Sequence, residues 1–535
     1  MLSIDDTKKQ YESDDLVALL SNPQTYSDGT NQAELIETHI SWLFLTDRYV
    51  YKLKKPVKFE FLDFTSLQAR QRACEEEVRI NKRLAYQVYF GVLPITVEQT
   101  GELVLGGEGR PIDYVVKMRR LPSKLALDTT LRQDQFSAHK LNELVSYLVS
   151  FYCNLPPQVL QPEEYYERTV RHCHSNLQDL LSAADPLHHP IIRRIHNAQL
   201  LFAWLQKDLL LNRARDGRIV EGHGDLRAEH IFLETPPAVI DGLEFSEELR
   251  KNDVLDELCF LAMDCTRLGN SEIGAKLLDA YAKLSGDASP PELQDFYKSY
   301  RASVRAKVAL LGVSQANGQA RKHRLREFHQ VLQWADHYAA RIGGPYLFVI
   351  GGLMGTGKST LATAVAEKTA AQVISTDAVR LTLFGASDKP SDFGKGTYRP
   401  ELRQKVYEEM FATAEEALDF GQTVVLDGTF LTNGLREQAT KLAHKHGATP
   451  IHIECECPIE AARLRVIERI KELESKSEGR PELIQQQVAE REELSESHGC
   501  LTIDSTHPMG MMLDRIAEKL AEPLIDVSRH DDILA

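Results

Sequence analysis

The chain has 535 residues and a formal net charge of −15, and 43% of its residues are hydrophobic and 26% charged. Since typical domains hold ~100–200 residues, this length predicts two to four domains. The composition excludes a wholly disordered, collagen-like or membrane-embedded chain. The acidic balance argues against a general nucleic-acid coat or a binder of anionic membranes, although it leaves room for a local basic groove.

The N-terminal segment is charged and has no apolar stretch, which argues against a secretory signal. No run of 18 apolar residues occurs, so we expect no transmembrane helix and no membrane partner. The eight cysteines are spread over the chain, and Cys455 and Cys457 have no second pair at zinc-site spacing. These features predict a cytoplasmic protein with reduced thiols.

The first part of the chain mixes predicted strands and helices. The assignment follows the period of the apolar residues, which is two in strands and close to four in helices. In chain order we predict strands over 35–46 and 49–54, a helix over 66–84, a hairpin of 89–97 with 102–105, a strand over 114–118, mostly helical sequence from about 135 to 215, short strands over 219–223 and 238–240, and helical sequence over 253–340.

The Gly343-Gly344-Pro345 sequence cannot continue a helix and marks a boundary. Beyond it short buried-type strands alternate with helices, which is typical of a parallel α/β sheet. The predicted strands are 346–350, 372–376, 423–426, 450–454 and 501–503. We therefore predict an N-terminal domain over 1–340, a parallel α/β domain over 341–525 and a tail over 526–535.

Residues 352–359 read Gly-Leu-Met-Gly-Thr-Gly-Lys-Ser and fit the phosphate-binding pattern G-x-x-x-x-G-K-[ST], between a predicted strand and a predicted helix. The glycines let backbone N–H groups close around phosphate oxygens. Lys358 can reach the β- and γ-phosphates, and the Ser359 hydroxyl can hold Mg²⁺. The predicted site for ATP and Mg²⁺ consists of Gly352, Gly355, Thr356, Gly357, Lys358, Ser359 and Thr360.

Charged residues at two further strand ends complete this candidate site. Asp377 can accept a proton from an attacking hydroxyl and Arg380 can steer an anionic group, or the pair is an N-cap with a surface arginine. Asp427 ends the next strand, where a carboxylate that binds Mg²⁺ belongs, unless it only caps a helix. Arg465 and Arg469 lie four residues apart on a predicted helix, and either close over the transferring phosphoryl group or form a solvated face.

Over residues 345–520 this set of motifs resembles P-loop kinases of the polynucleotide-kinase, zeta-toxin and gluconate-kinase type. The D-x-x-R of Asp377 and Arg380 is the most specific part of the resemblance. It implies that Asp377 is the general base toward an acceptor hydroxyl and that Arg380 helps to bind the acceptor. It does not identify the acceptor.

A second kinase-like pattern lies upstream. Residues 223–231 read His-Gly-Asp-Leu-Arg-Ala-Glu-His-Ile, and Val-Ile-Asp-Gly-Leu-Glu follows at 239–244. The pair resembles the catalytic loop and the metal-binding Asp of aminoglycoside phosphotransferases and other protein-kinase-like enzymes. Phosphoryl transfer needs one carboxylate to accept a hydroxyl proton, here Asp225, and another to hold Mg²⁺, here Asp241.

Lys52 and Lys54 lie on one face of a predicted strand, where a lysine that pairs with phosphates belongs, and Glu77 is their candidate ion-pair partner; ordinary surface charge is the alternative. His230 stands where the resembled family places an Mg²⁺-binding Asn, and imidazole is a poor Mg²⁺ ligand. The N-terminal domain is therefore either a working kinase with a reduced metal site or a binding domain that has lost catalysis.

Nearly the whole chain resembles a bacterial family that fuses an aminoglycoside-phosphotransferase-like domain to an ATP-binding kinase-like domain. The resemblance implies an α/β and α+β multidomain protein. Its N-terminal part would have the bilobal protein-kinase-like fold, with a small lobe at about 30–120 and a large lobe at about 121–340. Its C-terminal part would have the parallel-sheet P-loop fold.

We therefore predict an ATP- and Mg²⁺-dependent phosphotransferase that moves the γ-phosphate to a hydroxyl of a small-molecule acceptor. The N-terminal domain is a second kinase or a substrate-recognition module. Two alternatives stay open. One is an ATP-binding regulatory module with slow ATPase activity. The other is a 5′-hydroxyl nucleic-acid kinase, which the basic segment 301–326 favours and the net charge of −15 disfavours. The sequence does not determine the oligomeric state.

Overall fold

The protein is described here by a computed structural model, which covers residues 11–59, 62–133, 137–385, 399–471, 482–493 and 500–526. The chain divides into two compact units. We call Met1–Leu160 with Arg213–Pro290 the N-terminal unit, and Gln161–Asn212 with Pro291–Ala535 the C-terminal unit.

The strands and helices of the described residues are numbered in chain order. The strands are β1 (Glu34–Glu37), β2 (Ser41–Leu45), β3 (Tyr49–Lys54), β4 (Lys58–Phe59), β5 (Leu62–Asp63), β6 (Tyr89–Val97), β7 (Leu103–Leu105), β8 (Arg110–Arg119), β9 (Ile219–Glu221), β10 (Ile231–Phe232), β11 (Ala238–Val239), β12 (Lys251–Asp253), β13 (Tyr346–Gly351), β14 (Gln372–Ser375), β15 (Val424–Asp427), β16 (Thr449–Glu456) and β17 (Leu501–Asp504). The helices are α1 (Ser13–Ser21), α2 (Leu67–Ala85), α3 (Leu127–Arg132), α4 (Ala138–Asn154), α5 (Pro162–Ala183), α6 (His189–Leu205), α7 (Lys207–Arg215), α8 (Glu247–Arg250), α9 (Val254–Arg267), α10 (Ser271–Ser285), α11 (Pro291–Gln315), α12 (Gly318–Ile342), α13 (Lys358–Thr369), α14 (Thr376–Phe384), α15 (Pro400–Asp419), α16 (Asn433–Lys445), α17 (Ile459–Lys471), α18 (Glu482–Glu490) and α19 (Met509–Asp526). Within these described ranges, no helix is long and apolar enough to cross a membrane.

Among the described residues of the N-terminal unit, six antiparallel strands form a sheet in the order β1-β2-β3-β8-β6-β7. Helix α2 packs against β6 and β8. It begins where the Ser66 hydroxyl accepts a hydrogen bond from the N–H of Ala69. Because side chains alternate along a strand, Lys52 and Lys54 of β3 share one face, and both are buried. The mixture of sheet and helices confirms that this part of the chain is of the mixed α and β class.

The single strand predicted over 35–46 is wrong, because the chain turns in its middle and forms the antiparallel pair β1 and β2. The Thr38 backbone N–H donates to the Ser41 carbonyl oxygen at 2.9 Å. The Thr38 hydroxyl accepts from the Ser41 N–H at 3.0 Å. A threonine hydroxyl that satisfies backbone groups in this way favours a turn over a continuous strand.

In the part of the C-terminal unit that the structure describes, five parallel strands form a sheet in the order β14-β15-β13-β16-β17. Apolar clusters cover both faces, one with α15 and α16 and the other with α13 and α19. Parallel strands end at one edge of the sheet, so the loops that follow them lie close together there. The sheet confirms the predicted parallel α/β fold.

Helix α6 packs onto this parallel sheet from upstream in the sequence. Its Leu201 and Trp204 lie in the same apolar cluster as Phe348 of β13. The Asn197 carboxamide donates to the Thr369 carbonyl oxygen at 2.8 Å and accepts from the Thr423 N–H at 3.1 Å. The predicted boundary near residue 341 thus marks the start of the sheet, whereas the compact unit around the sheet also includes earlier helices. The division of the chain into domains stays a prediction.

Candidate active site

The P-loop, residues 352–357 between β13 and α13, is a tightly packed turn. Gly352, Gly355 and Gly357 have positive φ angles of 130°, 81° and 89°. A Cβ on Gly352 would lie 2.4 Å from the Cys455 carbonyl oxygen, and one on Gly355 would lie 2.5 Å from the Ala462 carbonyl oxygen. Only glycine fits such positions, so the loop keeps the open backbone cradle that phosphate oxygens need.

Lys358 begins α13 and turns back over this loop. Its Nζ donates to the Leu353 carbonyl oxygen at 2.8 Å, and the Thr356 hydroxyl donates to the same oxygen at 2.8 Å. Burial lowers the pKa of Lys358, and the carboxylates of Asp427 and Asp377 act against that decrease. The ammonium group is therefore held at the loop, close to acidic groups, where an anion would bind. Thr360 lies exposed in the first turn of α13.

One cleft gathers the predicted P-loop residues and the charged residues at the strand ends. Its walls include Lys358, Ser359, Asp377, Arg380 and Asp427. These residues come from the P-loop and from the ends of two neighbouring strands, β14 and β15. The structure therefore brings together the phosphate cradle and the carboxylates that the sequence analysis assigned to it.

Asp377 and Asp427 differ in exposure within this cleft. Asp377 lies in the first turn of α14 with 54% of its side chain exposed, and Arg380 Nη1 donates to its Oδ1 at 2.7 Å. Asp427 is buried at the end of β15. An exposed carboxylate is accessible to an acceptor. The Ser359 hydroxyl and the buried Asp427 carboxylate are hard oxygen donors, which fit Mg²⁺.

Arg465 contacts the loop that follows β17. Its Nη1 donates to the Ser505 hydroxyl and its Nη2 to the Ser505 carbonyl oxygen, both at 3.0 Å. A Cβ on Gly357 would lie 3.6 Å from Arg465 Nη1, so the guanidinium is next to the P-loop. Arg469 lies on α17, but its side chain is outside the described residues. The role of both arginines over the phosphoryl group stays a prediction.

Other residues in the wall of the cleft were not predicted from the sequence, among them Arg403 and Tyr407 of α15 and Gln487 of α18. The Tyr407 hydroxyl accepts from the Phe430 N–H at 3.1 Å, in the loop after β15. Gln487 Oε1 accepts from the Met354 N–H of the P-loop at 2.8 Å. Neither helix carries a recognisable motif, so no sequence signal pointed to these side chains.

In the N-terminal unit, the predicted lysines and acids form one network, in which Lys52, Lys54 and Glu77 are buried and 48% of the Asp241 side chain is exposed. Lys52 Nζ lies 2.7 Å from Asp241 Oδ1 and 3.0 Å from Glu77 Oε1. Lys54 pairs with Glu77 and also with Glu244, which the sequence analysis did not include. The structure therefore joins both lysines to Glu77, their predicted ion-pair partner, and adds Asp241 as a contact of Lys52 that was not predicted.

His230 lies between the two carboxylates of the predicted catalytic pair. Its Nδ1 is 2.9 Å from the backbone oxygen of Asp225, and its Nε2 is 3.7 Å from Asp241 Oδ2. Arg227 Nε donates to Asp225 Oδ2 at 3.0 Å. Desolvation alone would raise the pKa of Asp241, but Lys52 and His230 hold it well below its ordinary value. Both acids thus lie in one site, and each already pairs with a cationic or imidazole side chain.

Replacing Glu77 with glutamine is expected to destabilise the N-terminal unit by about 3 kcal/mol, because it leaves two buried ammonium groups short of a counter-charge. Amide hydrogen exchange in β3 and α2 should then become roughly 10²-fold faster. Glu75→Gln, an exposed position on the same helix, is the matched control and should leave exchange unchanged. Equal exchange rates in the two variants would show that Glu77 does not hold the lysines.

Comparison with solved structures finds partial likenesses. A gluconokinase from Sinorhizobium meliloti is 19% identical, covers 35% of this chain and 98% of its own, and has a TM-score of 0.26. A choline/ethanolamine kinase family protein from Mesorhizobium loti is 13% identical, covers 62% of this chain and 99% of its own, and has a TM-score of 0.37.

Comparison with known sequences identifies both a domain and a family. Residues 347–494 match the AAA domain family, which confirms a nucleotide-binding P-loop domain in the C-terminal half. Uncharacterized proteins of Mycobacterium tuberculosis and Mycobacterium bovis are 34% identical over 439 residues, which is 81% of this chain and 85% of theirs. This match spans more than the P-loop domain. The chain belongs to the same family as these mycobacterial proteins.

Proposed function

We propose that the protein is a phosphotransferase that moves the γ-phosphate of ATP to a hydroxyl group of a small-molecule acceptor. The observation that carries the proposal is the shared cleft. A phosphate cradle, the Lys358 ammonium, the Ser359 and Asp427 oxygens and the Asp377–Arg380 pair all line it. Kinase chemistry needs these groups together, because it depends on positioning and on electrostatic stabilisation of the phosphoryl group.

Asp377, the accessible carboxylate, acts as the general base. Asp377 accepts the proton of the acceptor hydroxyl as the acceptor oxygen forms a bond to the γ-phosphorus. The bond from phosphorus to the β–γ bridging oxygen breaks, and its electron pair stays with ADP. Arg380, which donates to Asp377, keeps the carboxylate oriented and adds positive charge beside the acceptor. Mg²⁺, held by Ser359 and Asp427, would neutralise phosphate charge.

The acceptor would enter beside Asp377, between α14 and α15. Arg403 of α15 lines the same cleft, and its Nη1 lies 2.8 Å from Glu490 Oε2. Arg380 and Arg403 thus place two guanidinium groups at this end of the cleft, each paired with a carboxylate. For the N-terminal unit, the network of Lys52, Asp241 and His230 supports both proposed roles, a second transfer site and a recognition module.

The proposal is tested by ADP release from the full-length protein with Mg²⁺-ATP and a panel of acceptors. The panel contains sugars, nucleosides, aminoglycosides and oligonucleotides. Release that a small hydroxyl compound stimulates, with matching transfer of labelled phosphate, is the expected result. Stimulation by oligonucleotides alone would favour a nucleic-acid kinase. Slow release that no acceptor changes would overturn the proposal in favour of an ATP-binding regulatory module.

A further inference from the structure

Gln487 of α18 is a buried polar side chain in contact with the P-loop. It is 5% exposed, whereas its neighbours Gln485 and Gln486 on the same helix are exposed. Its Oε1 accepts a hydrogen bond from the Met354 N–H at 2.8 Å, across 133 positions of sequence. A buried carboxamide that reaches into a phosphate cradle from another helix needs a reason beyond packing.

The hydrogen bond fixes which way the carboxamide faces. The Met354 N–H can only donate, so the oxygen of Gln487 has to face the loop and the nitrogen has to face away from it. Gln487 forms part of the cleft wall, and its Nε2 has no hydrogen bond to the described residues and is not enclosed by protein. The two N–H groups of Nε2 are therefore available donors on a side chain that lines the cleft.

These donors lie at the lysine end of the P-loop. Lys358 Nζ donates to the carbonyl oxygen of Leu353, and the next residue, Met354, donates to Gln487. The P-loop lysine is the group that reaches the β- and γ-phosphates. Gln487 is thus held beside the segment where the terminal phosphate of a bound nucleotide belongs.

Ion pairs at the end of α18 anchor the helix that carries this side chain. Arg491 Nη2 lies 2.5 Å from Glu456 Oε1 and 3.2 Å from Glu454 Oε1, both at the end of β16. Glu490 pairs with Arg403. A donor fixed in advance loses little freedom on binding, so its hydrogen bond contributes more to affinity.

We propose that Gln487 donates a hydrogen bond from Nε2 to a γ-phosphoryl oxygen of ATP, so that the cleft distinguishes ATP from ADP through a neutral side chain. The inference rests on the proposed function for the identity of the nucleotide. It adds a phosphoryl-binding residue that lies outside the P-loop sequence. A residue that only supported the loop would affect ATP and ADP equally.

The test measures the affinity of the full-length protein for Mg²⁺-ADP and for the Mg²⁺ complex of the β–γ imido analogue of ATP by calorimetry. Gln487→Glu keeps an oxygen for the Met354 N–H and replaces the donor with a carboxylate oxygen. Affinity for the analogue should fall about 10- to 100-fold, while affinity for ADP changes less than about twofold. Gln486→Glu, the same change at an exposed position, should alter neither.

Gln487→Met keeps the side-chain length but has no hydrogen-bonding amide, and it serves as a second variant if Gln487→Glu folds poorly. We expect Gln487→Met also to lose the preference for the ATP analogue over ADP. Equal weakening for both nucleotides, or no change for either, would overturn the inference and leave the proposed function standing. A wild-type protein that binds neither nucleotide would instead overturn the proposed function.

Discussion

Replacing Lys358 with alanine in the full-length protein is expected to lower ATP turnover in the C-terminal cleft by roughly 10³–10⁵-fold, the loss seen when a cation is taken from a transferring phosphoryl group. Lys358 supplies the ammonium that lies over the P-loop, bonded to the Leu353 carbonyl oxygen. Alanine favours helix at this first position of α13, so the fold should stay intact. Steady-state ADP release measures the effect, and circular dichroism checks the fold.

Lys368→Ala, in the last turn of the same helix, is the control and should keep wild-type turnover. Undiminished turnover in Lys358→Ala would contradict the assignment of the P-loop as the catalytic site. Transfer that survives Lys358→Ala and disappears when Asp225→Asn is added would belong to the N-terminal unit. That result would make the unit a second kinase rather than a recognition module.

These variants are best tested in the full-length chain. Leu201 and Trp204 of α6 lie in the apolar cluster that covers one face of the parallel sheet. A fragment that begins near residue 341 would expose that face to water and lose the Asn197 hydrogen bonds to Thr369 and Thr423. A loss of activity in such a fragment would then reflect a damaged core.

The P-loop could be predicted because its function needs consecutive residues with fixed spacing. Asp377 and Asp427 could be predicted because each lies at the carboxyl end of a strand of a parallel sheet, and such strands end at one edge. Gln487 could not be predicted, since its partner Met354 is 133 positions away and the helix that carries it has no motif. Contacts of that range depend on how α18 packs, which local sequence does not specify.

The N-terminal network of Lys52, Lys54 and Glu77 was likewise predicted only where local sequence patterns specify it. Strand alternation placed Lys52 and Lys54 on one face, and the helix pattern placed Glu77 toward them. Glu244, the second partner of Lys54, was not predicted because it lies 190 positions away in the sequence. The turn at Thr38 was missed because it depends on local hydrogen bonds between Thr38 and Ser41, whereas the apolar pattern continues on both sides of it.

Replacing Asp377 with asparagine is expected to lower kcat for phosphoryl transfer by roughly 10²–10⁴-fold with little change in nucleotide affinity. Asparagine has nearly the same shape and its carbonyl oxygen can still accept from Arg380, so the variant removes the proton acceptor and little else. Asp427→Asn should act differently. That carboxylate is buried beside the P-loop, so its loss should raise the Mg²⁺ concentration needed for half-maximal activity.

The comparison requires the acceptor that stimulates ADP release, saturating nucleotide and a titration of Mg²⁺ for each variant. Asp514→Asn, an exposed position on α19, controls for the loss of one negative charge and should behave as wild type. The base assignment requires that high Mg²⁺ restore activity to Asp427→Asn and not to Asp377→Asn. The reverse pattern would mean that Asp377 holds the metal ion and that Asp427, buried at the end of β15, accepts the proton.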